Sequence, residues 1–229
     1  MWSMAAAATF DRAEIDELAA RFETATAQEV LAFAADRFGS QMVLTCSWQK
    51  QSSILVHMTR EIAPETRIVE LDTGVLFPET HAVRERLIER YGIEVETFRA
   101  EQTVERQWEA DAEACCTMRK VVPLAAALAG SAAWLTGIRR EQSATRAQAP
   151  KLAFDERRGV VKVQPLVDWS DRDCWRYVMA NRIPYHELHD HGYPSIGCMP
   201  CTRAVTGTED ERAGRWAGSA KLECGLHSV

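Results

Sequence analysis

The sequence predicts an α/β domain, a mostly parallel sheet flanked by helices, with a flexible C-terminal tail. Three observations predict it. Short apolar runs alternate with stretches of helical periodicity from residue 42 to residue 136, the order that builds parallel strands joined by helical crossovers. A chain of 229 residues with a 46% apolar share suits one core of this kind. Polar loops follow the strand-like runs, at the strand ends where such sheets bind ligands.

Taken in order, residues 11–22 and Ala27–Phe38 show helical apolar spacing, the second with Thr26 as N-cap and Gly39 as stop. Met42–Cys46 reads as a buried strand, residues 52–60 as a helix and Arg67–Leu71 as a second strand. Pro78–Tyr91 follows as a helix with proline at its start, then residues 93–98 as a third strand. Residues 116–129 look helical despite Pro123, and residues 133–136 strand-like. Ser170 caps a short helix over Asp171–Ala180. From Tyr185 onward the chain is dense in His, Gly, Pro and Cys, a composition that suits a site better than a core. The expected division is N-terminal helices (1–40), an α/β domain that carries the site (41–210) and a C-terminal tail (211–229).

Net charge is −6, from 27 basic and 33 acidic side chains, which argues against generic nucleic-acid binding. Between Thr117 and Lys162 the balance reverses, with nine Lys/Arg against three acids. Such a stretch suits a small anion, a solvated face being the alternative. Met1-Trp2-Ser3-Met4 has no basic segment before an apolar one, so a secretory leader is not expected, and no window approaches the ~18 apolar residues of a membrane helix. The expectation is a cytoplasmic protein with reduced thiols and no membrane partner, in which paired cysteines serve a metal or redox chemistry.

Four of the seven cysteines form two tight pairs, Cys115-Cys116 and Cys198-x-x-Cys201. The second spacing lets two sulfurs converge on one metal centre. Adjacent residues on a helix point about 100° apart, which a cubane cluster tolerates better than a single tetrahedral zinc. Structural zinc and chance burial remain alternatives. Cys224 sits in Glu223-Cys224-Gly225-Leu226-His227, on a terminal segment suited to a nucleophile that meets a substrate and then a second protein. Cys46 and Cys174 lie in apolar or amphipathic runs and read as core.

Ser47 to Ser53 follows the first strand, where phosphate loops lie, although without a glycine. Asp72-Thr73-Gly74 follows the second and could bind a ribose or an adenine edge. Gly137 offers close approach, and Arg139 and Arg140 offer fork-shaped cations. Arg212 and Arg215 lie between the second cysteine pair and Cys224. His186, His189 and His191 read as a polar loop rather than metal ligands.

Together these residues resemble the assimilatory adenylylsulfate (APS) reductases of the phosphoadenylylsulfate (PAPS) reductase family, over residues 41–227. The resemblance is carried by Leu71-Asp72-Thr73-Gly74, Cys115-Cys116-Thr117-Met118-Arg119-Lys120, Thr136-Gly137-Ile138-Arg139-Arg140, the run from Tyr193 through Cys201, Gly214-Arg215-Trp216 and the terminal Glu223 to His227. It implies an adenine nucleotide α-hydrolase-like fold and a [4Fe-4S] cluster on Cys115, Cys116, Cys198 and Cys201, with Cys224 as nucleophile. Lys120 would lie between cluster and substrate. Arg212, Arg215 and His227 would meet the phosphosulfate, and Ser47, Asp72, Thr73, Gly74, Gly137 and Arg139, with Arg140 beside them, would hold the nucleotide. The implied reaction is thioredoxin-dependent reduction of adenylylsulfate to sulfite and AMP through an S-sulfocysteine, with a glutaredoxin-like dithiol as the other reductant. A homo-oligomer is compatible with the sequence.

The loop Trp48-Gln49-Lys50-Gln51-Ser52 departs from the family's usual pattern, and Lys50 could pair with an extra phosphate, so PAPS or dual specificity is the alternative. An ATP pyrophosphatase-type ligase or tRNA thiolase would need a glycine-rich triphosphate loop that Ser47 to Ser52 lacks. A cluster-based redox sensor would have no use for Cys224 or the arginine pairs.

Overall fold

The structure, a computed structural model, describes residues 11–206, 210–216, 221 and 223–227. The N-terminal stretch read for a leader (residues 1–8) and parts of the tail lie outside them. The sheet is built from β1 (Met42–Cys46), β2 (Arg67–Leu71), β3 (Val95–Phe98), β4 (Ala133–Leu135), β5 (Leu152–Asp155) and β6 (Val160–Val163). Their order is β3-β2-β1-β4-β6-β5, parallel throughout except for the antiparallel β5–β6 edge. The chain builds outward from β1 to β3 and then returns to place β4 on the other side of β1. That reversal opens a crevice at the carboxyl ends of β1 and β4.

Helices α1 (Arg12–Phe22), α2 (Ala27–Phe38), α3 (Lys50–Ile62) and α4 (Pro78–Tyr91) precede the short α5 (Gln107–Ala110) and α6 (Ala112–Cys116); α7 (Val122–Leu128) and α8 (Asp171–Ala180) follow. Strand periodicity decides what each covers. Met42 and Leu44 face a large core shared by α1 to α4 and α8, whereas Val43 faces Leu124, Ala127 and Leu128 of α7. Both faces are covered, as a buried parallel sheet requires. The N-terminal helices share the main core, since Ile15, Val30 and Leu31 pack into it.

The caps follow the sequence. Thr26 and Glu29 form a reciprocal capping box on α2, as do Ser170 and Asp173 on α8, each contributing about 1 kcal/mol. Between α6 and α7 the expected continuous helix widens into a π turn over Thr117–Val121. Pro123 has no N–H for the carbonyl one turn back, so the ladder changes register there. The hairpin of β5 and β6 and the short helices α5 and α6 are additions to the expected elements. Among the described residues no helix is long and apolar enough to cross a membrane.

Candidate active site

Three loops at the carboxyl ends of the strands form the floor of a cavity of about 160 Å³. After β1, Ser47 N–H donates to Ser52 Oγ (3.0 Å), and Trp48 takes a left-handed φ of 58°. That conformation is costly for a bulky residue. It is held by the buried indole, whose N–H donates to Glu70 at 2.7 Å. The loop so fixed turns Ser47, Gln49, Gln51 and Ser52 into the cavity at the start of α3.

After β2, Asp72 accepts from Gly74 N–H (2.8 Å) and from Arg99 (2.6 Å), which places Thr73 on the cavity wall. Gly74 has φ 73°, the left-handed region that glycine enters without strain. After β4, a Cβ at Gly137 would lie 2.9 Å from Gln51 Cβ, so glycine is what lets this loop close on α3.

The fourth wall is cationic. Lys120, Arg146, Arg212 and Arg215 line the cavity with Ser195, Cys224 and His227. Arg215 donates to Ile196 O (3.3 Å) and lies 4.5 Å over the Trp216 ring. A Cβ at Gly197 would collide with the Arg215 guanidinium. Glu223, next to Cys224, receives a two-pronged pair from Arg146 (3.0 and 2.9 Å) and a third contact from Arg212 at 3.1 Å. Burial would raise the Glu223 carboxyl, but those two arginines and Thr145 hold it below its usual range. Burial, with Arg146 close by, lowers Arg212 to about 10. Cys224 itself is 8% exposed.

Lys120 also lines a second, smaller cavity with Cys115, Cys116, Cys198 and Cys201. The first two cysteines end α6, where the π turn begins, and the last two flank a single helical turn held by the Met199 N–H bond to Val75 O (2.8 Å) and the Trp216 N–H bond to Cys201 O (3.0 Å). All four are free thiols. Burial pushes Cys116 up and Cys201 up to about 11. Burial acts on Cys198 too, but Lys120, the Thr73 hydroxyl and Arg215 outweigh it and lower its pKa. Among the described residues no three His, Cys, Asp or Glu side chains converge on one ion; the four sulfurs stand around a shared space instead.

Of the residues singled out in the sequence, Ser47, Thr73, Lys120, Gly137, Arg212, Arg215, Cys224 and His227 meet in the larger cavity, and the four paired cysteines meet in the smaller one. Asp72 and Gly74 shape the turn without lining either. Arg139 and Arg140 are turned away. Arg139 is fully buried among Glu141 (2.9 Å), Glu211 (2.9 Å) and Asp171 (3.3 Å). Arg140 pairs with Glu23 and donates to Ala149 O. Lys50 is also turned away, buried against Asp171 with its ammonium 4.8 Å over Trp175. Cys46 and Cys174 are core residues. His186 and His189 are wired into backbone bonds: Leu188 N–H donates to His186 Nδ1 (3.3 Å), and His189 Nδ1 lies 2.8 Å from Tyr193 O. Sequence reasoning missed Arg146 and Trp134 as cavity residues. The basic stretch around Arg146 was a signal, but its partner Glu223 is 77 residues away.

The phosphoadenosine phosphosulfate reductase domain family matches residues 41–204 of this chain. The adenosine 5′-phosphosulfate reductase of Bacillus pumilus is 44% identical over 210 residues, covering 88% of this chain and 90% of its own length. That of Geobacillus kaustophilus is 40% identical over 227 residues, covering 95% and 97%. Among solved structures, the phosphoadenylyl-sulfate (PAPS) reductase from Candida auris, a phosphate complex, superposes with a TM-score of 0.76 at 24% identity, over 86% of this chain and 98% of that one. The U34-tRNA thiolase from Methanococcus maripaludis with its [4Fe-4S] cluster gives 0.53 at 12% identity, over 82% and 75%. These structural likenesses speak to the fold.

Proposed function

The chain belongs to the phosphoadenosine phosphosulfate reductase family, and from that premise we propose that it reduces adenylylsulfate to sulfite and AMP in sulfate assimilation, with Cys224 as the nucleophile. The observation that carries the reading is the meeting of Cys224 with Lys120, Arg146, Arg212 and Arg215 in one cavity at the sheet's switch point. A phosphosulfate carries negative charge that repels a thiolate. Lys120 and Arg215, with Arg146 and Arg212 held beside Cys224 by Glu223, offset the charge of both partners, and a preorganised charge of this kind contributes about 3 kcal/mol.

The Cys224 thiolate attacks the sulfur of the sulfonate group. A sulfur–sulfur bond forms, the sulfur–oxygen bond to phosphate breaks, and AMP leaves with the electron pair on its phosphate oxygen. His227, on the same wall, serves that oxygen by a hydrogen bond. Cys224 then carries an S-sulfonate. Cys224 is buried in the cavity, out of reach of another protein, so the tail has to leave the cavity before the second half. A thioredoxin thiolate attacks Cys224 Sγ, sulfite departs with the electron pair of the sulfur–sulfur bond, and the second thioredoxin thiol closes the disulfide and frees Cys224. The dithiol supplies both electrons.

Cys115, Cys116, Cys198 and Cys201 would hold a [4Fe-4S] cluster. Four free thiols around one enclosed space, two of them adjacent at a widened helical turn, suit a group with several metals. Bound there, the cluster supplies a fixed negative centre that orients Lys120. The burial of Lys50 favours adenylylsulfate over the 3′-phosphorylated nucleotide.

The test is sulfite release from each nucleotide with thioredoxin, on anaerobically purified protein whose iron and acid-labile sulfide are measured. Sulfite from adenylylsulfate, with Cys224→Ser inactive and free of adduct by mass spectrometry, is the expected result. Turnover by that variant, or release from the 3′-phosphorylated nucleotide alone, overturns it.

A further inference from the structure

The His227 ring is placed by contacts that the reaction does not require. Trp134 of β4 is fully buried, and its indole N–H donates to Thr45 Oγ1 on the neighbouring β1 at 2.8 Å, which fixes the plane of the ring. His227 lies parallel to that plane, 8° apart with centroids at 5.1 Å. Lys162 Nζ and the Arg158 guanidinium each stand 5.2 Å from the same indole. The strand register sets Lys162 beside Trp134. His227 lines the cavity, and its Nδ1 is buried without a hydrogen-bond partner among the described residues.

We infer that Trp134, backed by Lys162 and Arg158, is the positioning residue for His227 in the proposed sulfonate transfer. The inference rests on that reading of the cavity. A flat indole held at both its face and its N–H offers the imidazole one orientation, and stacking removes torsional freedom that the ring would otherwise keep. The charge environment completes the arrangement. Arg146 of the loop after β4, Lys162 of β6, Arg158 of the β5–β6 turn and Arg212 of the segment before the tail all lie within electrostatic reach of the imidazole. Burial and these four cations press its pKa well below the ordinary value. A neutral ring keeps one donor and one acceptor nitrogen, so the orphaned Nδ1 is available to a ligand in the cavity. His227 is thereby a directed hydrogen-bonding group, and the arginines and Lys120 provide the charge.

The test uses the full chain with histidines isotopically labelled at the ring, the His227 signal being assigned by its loss in His227→Ala. In the unsubstituted protein that signal stays in its neutral position at pH values below the ordinary histidine midpoint of about 6.5. Lys162→Met moves its midpoint up toward that value. Trp134→Leu lowers kcat for sulfite formation about tenfold, within the range of a displaced acid–base group, with KM within about twofold, and Trp134→Phe restores most of it by keeping a stacking face. An unmoved midpoint in Lys162→Met, or an unchanged kcat in Trp134→Leu, overturns the inference. Trp134 is buried, so Lys162→Met and Trp134→Phe decide the matter if the leucine variant does not fold. If the unsubstituted chain makes no sulfite at all, the reductase reading fails, while the His227 midpoint still tests the stack.

Discussion

Two sets of arginines lie close together in this fold and end differently. Arg139 is surrounded by Glu141, Asp171 and Glu211, whereas Arg212 and Arg215 face the cavity. Arg139 and Arg212 are linked through the chain itself, because Glu211, which Arg139 holds, immediately precedes Arg212. A guanidinium matched by several carboxylates organises a fold, and one that faces a cavity organises a ligand. Side-chain type is the same in both sets, and the acids around each make the difference.

Breaking the cavity set has the largest expected effect. Arg215→Ala should lower kcat/KM for adenylylsulfate by about 100-fold, with the thermal midpoint changed by only a few degrees, as checked by steady-state kinetics beside a melting curve. Comparable loss of activity and stability would erase the distinction between the two sets.

Breaking the buried set reverses the pattern. Arg139→Met strands the largely buried Glu211 carboxylate and should cost about 3 kcal/mol of unfolding free energy, read by denaturant titration. Its pH dependence sharpens the test. Burial already pushes the Glu211 carboxyl up against the pull of Arg139 and Lys50, and removing Arg139 pushes it higher. The folded variant then binds a proton that the unfolded chain releases, so its stability should fall as pH rises above the ordinary carboxylate range and recover in acid.

A third comparison concerns the histidine loop beside both sets. Burial lowers His186 to about 4 and His189 to about 3. In each ring one nitrogen faces a backbone N–H, from Leu188 (3.3 Å) and Lys50 (3.5 Å) respectively, so a proton there would oppose a donor. The unfolded chain takes up protons below about pH 6.5 and the folded one does not. Stability should therefore fall as pH drops from there toward 4, and His186→Gln with His189→Gln should flatten that slope in a pH series of melts.

The sheet's parallel half was legible because its signals are local. Thr26 marks a helix start by itself, and Met42–Cys46 is apolar throughout apart from Thr45. The β5–β6 edge was not, since Asp155, Glu156, Arg157 and Arg158 interrupt two four-residue strands with a charged turn. Helix α3 begins two residues earlier than its apolar spacing suggests, because Lys50 and Gln51 are polar yet buried, which periodicity does not register. At the site, the paired cysteines and Cys224 stood out by spacing and composition. The roles of the arginines did not, because they depend on carboxylates from distant segments, Glu211 for Arg139 and Glu223 for Arg146. Trp134 sits in a strand and looks like core until the tail lies across it.

The missing side chain at Gly197 has a consequence for the whole centre. The guanidinium of Arg215 fills the space that a side chain at Gly197 would take, and so packs directly on the peptide before Cys198. The thiol chamber and the anion chamber therefore share a party wall, and whatever tightens the one redraws the outline of the other.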